Sequence, residues 1–137
     1  MKAINQTEIV IALGSNTQAT KHIEQAQQQL QVLFPDIVFS RKMITKAIGN
    51  QYENDFVNCI ALTHCAMQAN VVEATLKTIE HACGDSKTRR ERGEVLLDAD
   101  LLLCQGQRYH TSDWERDYIQ LLLNEIGYSS FWKRIYY

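Results

Sequence analysis

Residues 96 to 103 read Leu96-Leu97-Asp98-Ala99-Asp100-Leu101-Leu102-Leu103. A short, nearly continuous apolar run of this kind is a buried strand, and Val95 to Leu103 is read as one. Side chains alternate faces along a strand, so Asp98 and Asp100 point the same way. Two rises of about 3.3 Å set their backbones roughly 6.6 Å apart, close enough for the carboxylates to share one site. Aspartate is depleted in strands, and two like charges beside five leucines are costly unless a cation or a shared proton relieves them. Oxygen ligands of this type suit Mg²⁺, which takes one or two carboxylates together with phosphates and water. The plainer alternative, two solvated aspartates on an exposed sheet face, fits the flanking leucines less well.

Upstream of this strand, the segment from Asp85 to Gly93 is charged and carries Lys87, Arg89, Arg90 and Arg92. It is expected to be a mobile surface loop whose cations fold over a metal-bound polyphosphate, because phosphoryl transfer depends on positioning and charge neutralisation. Taken by itself it is equally a solvated charge run. Before it, Asn70 with Glu73 three residues on marks a helix start. Val72, Leu76, Ile79 and Cys83 continue on one helical face, and Gly84 is placed to end the helix.

Nearer the start, Glu8 to Leu13 is a buried strand stopped by Gly14-Ser15-Asn16. Ile23, Ala26, Leu30 and Leu33 then give a helix from about Thr20 to Leu33, with glutamines on its wet side. Pro35-Asp36 breaks it. Ile37 to Thr45 is extended, Lys46 to Asp55 is a polar loop, and Phe56 to Leu62 is a further strand. A final helix is expected from about Ser112 to Glu125. The order β-α-β-β-α-β-α predicts an α+β, ferredoxin-like antiparallel sheet with helices packed on one face, as a single domain over residues 1–137.

Bulk properties exclude several classes. At 137 residues, 45% hydrophobic and 22% charged, the chain is one ordinary domain. A net charge of −2 gives no general pull toward nucleic acid or an anionic membrane. No apolar run approaches the ~20 residues that a membrane span needs. Cys59, Cys65, Cys83 and Cys104 lack metal-ligand spacing and a secretory context, so reduced thiols in a cytoplasmic protein are expected.

Three segments fall in a familiar order: Ile11-Ala12-Leu13-Gly14-Ser15-Asn16, Asp55-Phe56-Val57-Asn58, and Leu97-Asp98-Ala99-Asp100-Leu101-Leu102. Together they resemble the 6-hydroxymethyl-7,8-dihydropterin pyrophosphokinase family of folate biosynthesis. Ser40, Thr45 and Gly49 fit its intervening loop pattern. His110, Arg116 and Tyr118 stand at spacings like those of a family His, Arg and Phe ahead of Glu125-Ile126. The resemblance spans about residues 8–127 and leaves the aromatic tail 128–137 unassigned.

The resemblance implies Mg²⁺-dependent transfer of pyrophosphate from ATP to the pterin, releasing AMP. Asp98 and Asp100 would hold two Mg²⁺ ions. Asn58 would hydrogen-bond the pterin edge, Phe56 and Tyr118 would stack on its ring, and Thr45 and Ile48 would line the pocket. Lys77 and Glu80 would lie near the adenine, and Lys87, His110 and Arg116 would contact the phosphates. Arg89, Arg90 and Arg92 would belong to the catalytic loop. ATP and pterin are the implied partners, with neither nucleic acid nor membrane.

The chain departs from the family pattern at Asp85 and Val95, where arginines are expected, and at Arg92, where a tryptophan is expected. One lost charge-stabilising group costs roughly 10²–10³ in rate. The alternative is therefore a catalytically impaired homologue that binds pterin or nucleotide. An interaction module with an accidental likeness is a third possibility, and it predicts no Mg²⁺-dependent nucleotide binding.

Overall fold

The computed structural model describes residues 6–128, apart from 48, 50 and 53. Strand β1 (Thr7–Ser15) leads into helix α1 (Ala19–Leu33), then two short strands, β2 (Val38–Phe39) and β3 (Met43–Thr45), and the long β4 (Phe56–Cys65). Helix α2 (Ala69–Ala82), a short α3 (Lys87–Glu91), β5 (Asp98–Cys104), β6 (Gln107–Arg108), a 3₁₀ turn at Asp113–Glu115 and α4 (Asp117–Glu125) follow. Every strand pairing is antiparallel, and the sheet runs β2-β4-β1-β5-β6 with β3 also on β4. This is the expected α+β, ferredoxin-like order.

β1 is the central strand and is buried over most of its length because both its faces are covered. Ile9, Ile11 and Leu13 point to one face, where Ile23, Ala26 and Leu30 of α1 and Val72, Leu76 and Ile79 of α2 close the core. Val10 and Ile60 point to the other, against Trp114, Ile119, Leu122 and Leu123. Helices therefore lie on both faces of the sheet, not on one as expected. The period-2 alternation leaves the second face apolar as well, and α4 covers it, each buried leucine or isoleucine contributing roughly 1.5–3 kcal/mol.

Several local expectations change. The second extended segment is two strands, because an extra residue enters between the pairs Phe39–Ala61 and Met43–Asn58. Ser40 fills the gap: its N–H donates to the Ile60 carbonyl and its Oγ accepts the Ile60 N–H, both at 2.8 Å. The Asn70–Glu73 capping box does not form. α2 begins at Ala69, placing Asn70 inside its first turn, and the Gln68 carbonyl accepts from Val71 and Val72.

Gly84 does end α2. At φ 91° it donates to the His81 carbonyl while Asp85 donates to that of Glu80, the paired bonds of a Schellman turn. The basic segment is not a free loop: Ser86 caps α3, its Oγ accepting the Arg89 N–H at 3.2 Å. The final helix starts late because Arg116 is extended (φ −71°, ψ 135°), separating the 3₁₀ turn from α4. Of the unassigned tail only Tyr128 is described, buried with its ring centroid 5.9 Å from that of Trp114; residues 129–137 lie outside the described residues. Among the described residues no helix is long and apolar enough to cross a membrane.

Candidate active site

Gly14 of β1 is paired with Asn58 of β4 on one side and Asp98 of β5 on the other, and Ala12 is paired with Ile60 and Asp100. Directly opposed residues share a face of the sheet, so Asn58, Asp98 and Asp100 emerge together. They line a cavity of about 360 Å³, which opens beside the N-terminal turn of α4 and also exposes Thr45, Phe56, Arg116 and Tyr118.

Asp98 and Asp100 lie side by side on one wall. Burial pushes the Asp100 carboxyl up to about 8, with the Asp98 charge next in weight and Asp113 and Glu80 adding to it. Asp113 reaches this group from the 3₁₀ turn. One ligand atom each from Asp100, His110 and Asp113 lie within 4.8 Å of one another, and His110 Nε2 is 3.8 Å from Asp100 Oδ1. Arg116 donates from Nε to Asp113 Oδ1 at 3.1 Å, placing a guanidinium on the same side.

Asn58, Thr45, Phe56 and Tyr118 also line the cavity. Asn58 donates from Nδ2 to Thr45 Oγ1 at 2.6 Å, which orients the amide. Phe56 and Tyr52 form a T-shaped pair, ring centroids 5.1 Å apart at 85°, and both line the cavity. Tyr118 enters from α4, and burial pushes its phenol up. Ile48 lies outside the described residues.

The expected cation-bearing residues separate. Arg90 Nη2 lies 3.4 Å from Asp98 Oδ1. Arg89 and Arg92 turn instead to Glu94, at 3.7 and 3.5 Å. Lys77 and Lys87 are exposed, and neither lines the cavity. Glu80 is buried beneath β5: its Oε2 accepts the Ala99 N–H at 2.8 Å, and burial pushes its carboxyl up.

The structure also brings in residues that the sequence did not single out. Asp113, Lys46 and Tyr52 line the cavity. Asp113 had a signal in the three-residue spacing of His110, Asp113 and Arg116, which puts all three on one side of a helical turn. Lys46 and Tyr52 sit in the polar segment before β4, where no periodicity marks them.

A family model described as 7,8-dihydro-6-hydroxymethylpterin-pyrophosphokinase (HPPK) matches residues 10–128. A search of curated proteins returned no match. The matched span runs from β1 to Tyr128 and includes both aspartates, the Asn58 wall and the 3₁₀ turn. The chain belongs to the 7,8-dihydro-6-hydroxymethylpterin-pyrophosphokinase family.

Proposed function

We propose that this chain transfers the β,γ-pyrophosphate of ATP to the hydroxymethyl oxygen of 6-hydroxymethyl-7,8-dihydropterin in the cytoplasm, with Mg²⁺ held by Asp98 and Asp100. The pterin oxygen bonds to the β-phosphorus, the bond from that phosphorus to the α,β-bridging oxygen breaks, AMP leaves with the oxygen, and the hydroxyl proton is released. The carrying observation is the placing of two same-face carboxylates and the aromatic rings of Phe56 and Tyr118 in one cavity.

The acidic pair fits a hard divalent cation. Both donors are oxygen, and the Asp100 carboxyl, pushed up to about 8 by burial and by Asp98, is in the like-charge conflict that a cation relieves. Bound there, Mg²⁺ neutralises charge on the phosphates. Asn58, held by Thr45, presents amide hydrogen-bonding groups to the pterin edge. Phe56 and Tyr118 hold the ring, with Ile48 as a further lining residue. His110 and Arg116 face the phosphates from the side of the 3₁₀ turn. Lys87, Arg89, Arg90 and Arg92 supply positive charge from α3 and its end, and Lys77 of α2 lies toward the adenine, whereas Glu80 is buried on the Ala99 N–H.

A second possibility, a binding protein with impaired turnover, draws on one observation. Asp85 and Val95 stand where the family pattern has arginines, and both are buried, so neither position offers a cation to ATP. AMP release from ATP and the pterin separates the two. Wild-type turnover that Asp98→Ala and Asp100→Ala each abolish supports the kinase. Binding of ATP and pterin without AMP supports the impaired homologue.

A further inference from the structure

Asp85 is buried, and both of its carboxylate oxygens are engaged. Oδ1 accepts the N–H groups of Leu96 at 3.0 Å and Leu97 at 3.4 Å, just before the acidic strand. Oδ2 accepts from Arg90 Nε at 2.6 Å. Arg90 Nη2 then donates to the Leu97 carbonyl at 3.0 Å, reaches Asp98 Oδ1 at 3.4 Å and lies 3.7 Å from Glu80 Oε2. The Schellman turn at Gly84 sets where Asp85 enters, and the Ser86 cap fixes the first turn of α3. The basic segment thus delivers one guanidinium to the metal-pair edge of β5, while its neighbours Arg89 and Arg92 turn away to Glu94.

We propose that Asp85 is a positioning residue for Arg90, and that Arg90 presents at the acidic pair the positive charge that the family pattern carries at position 85. This rests on the reading of Asp98 and Asp100 as the metal pair. The guanidinium of Arg90 is held by Asp85 through Nε and by the Leu97 carbonyl through Nη2, and the same Nη2 faces Asp98. A cation so placed opposes a divalent ion at Asp98 when no nucleotide is present, and attracts the phosphates when one is. Mere structural support has no such opposed effect.

The test reads binding rather than turnover, on the full chain: Mn²⁺ affinity of the nucleotide-free protein by electron paramagnetic resonance, and affinity for a non-hydrolysable ATP analogue with Mg²⁺ by calorimetry. Arg90→Gln is expected to bind Mn²⁺ about fivefold more tightly and the nucleotide about tenfold more weakly. Arg90→Lys keeps the charge without the fork, so its Mn²⁺ affinity stays at the wild-type value while nucleotide binding weakens. Asp85→Asn retains Oδ1 for Leu96 and Leu97 but offers an amide nitrogen that cannot accept from Arg90. It should shift both affinities in the same directions as Arg90→Gln, and the double variant should go no further than Arg90→Gln alone.

The proposal is overturned if Arg90→Gln weakens both ligands or changes neither, if the two substitutions add, or if neither wild type nor Arg90→Gln binds Mn²⁺. Expected shifts in a wild type that forms no AMP would sink the proposed activity and leave the arm standing. AMP formation without the shifts would do the reverse.

Discussion

A methyl group on Gly14 would stand 3.0 Å from Asn58 Oδ1 and 3.8 Å from the Phe56 ring. The glycine that closes the first strand motif therefore clears room for the amide beside it. Its role is close approach, not unusual backbone geometry.

Gly14→Ala is expected to push Asn58 off Thr45 and out of register with a pterin edge. The KM for the pterin should rise about tenfold, the loss of one oriented hydrogen bond, with little change in melting temperature or in the KM for ATP. An unchanged pterin KM would mean that Asn58 does not read that edge.

Asp100 gives a prediction of opposite sign for stability and function. Its carboxyl is raised in the folded protein to about 8 from an ordinary 3.8, mainly by burial and then by Asp98. The folded state therefore binds the proton more tightly than the unfolded one. The stability from that proton is fully present below the unfolded value and is lost as pH rises through the folded one. Asp100→Asn removes the titration, so the metal-free variant should melt at least about 3 °C above wild type at pH 9, with a gap that shrinks toward pH 4. The same variant should form no AMP. Equal melting of the two proteins at pH 9 would refute the raised Asp100 carboxyl.

The legible parts of this fold were those where burial alone decides. β1, β4 and β5 are apolar enough to be strands in any context, α1 and α2 carry clean one-face periodicity, and the Asp98–Asp100 pair is conspicuous against its leucines. What the sequence hid depends on partners far along the chain. Ser40 looks like any extended residue until Ile60 is beside it. The basic segment looks solvated until Asp85 and the start of β5 are seen to hold Arg90. Asp113 joins the acidic pair only because the turn after β6 folds back across the sheet. Glu80, expected near the adenine, is placed under β5 by the register of α2.

That placement of Glu80 is testable. The N-terminal half of β5 pairs with β1 on one side, and on the other the Ala99 N–H finds Glu80 Oε2. Glu80→Ala leaves the N–H without that acceptor and should destabilise the protein by about 1–3 kcal/mol. Glu80→Gln keeps an acceptor oxygen and should lose less than half as much. Denaturant unfolding reads both. A rise in the KM for ATP in both variants with stability intact would instead place the group at the nucleotide.

Trp114 links the second core to the site. It is buried, its Nε1 donates to the carbonyls of Leu102 at 3.2 Å and Tyr109 at 3.1 Å, and the Arg108 guanidinium lies 4.1 Å from the ring centroid. Its chain neighbour Asp113 stands beside Asp100 and holds Arg116, so the indole anchors the turn next to the groups proposed to face the phosphates on that side. Trp114→Phe keeps an aromatic ring but removes the donor. Tyr109 loses this partner for its carbonyl, whereas the Leu102 carbonyl retains the Tyr109 N–H at 2.9 Å. The expected cost is about 1–2 kcal/mol of stability, measured by denaturant unfolding. Loosening of the turn should raise the KM for ATP severalfold and that for the pterin less, because Asn58, Thr45 and Phe56 lie on the sheet and, of the proposed pterin contacts, Tyr118 alone follows the turn. Equal increases in both KM values would mean that the turn supports the whole cavity rather than its phosphate side.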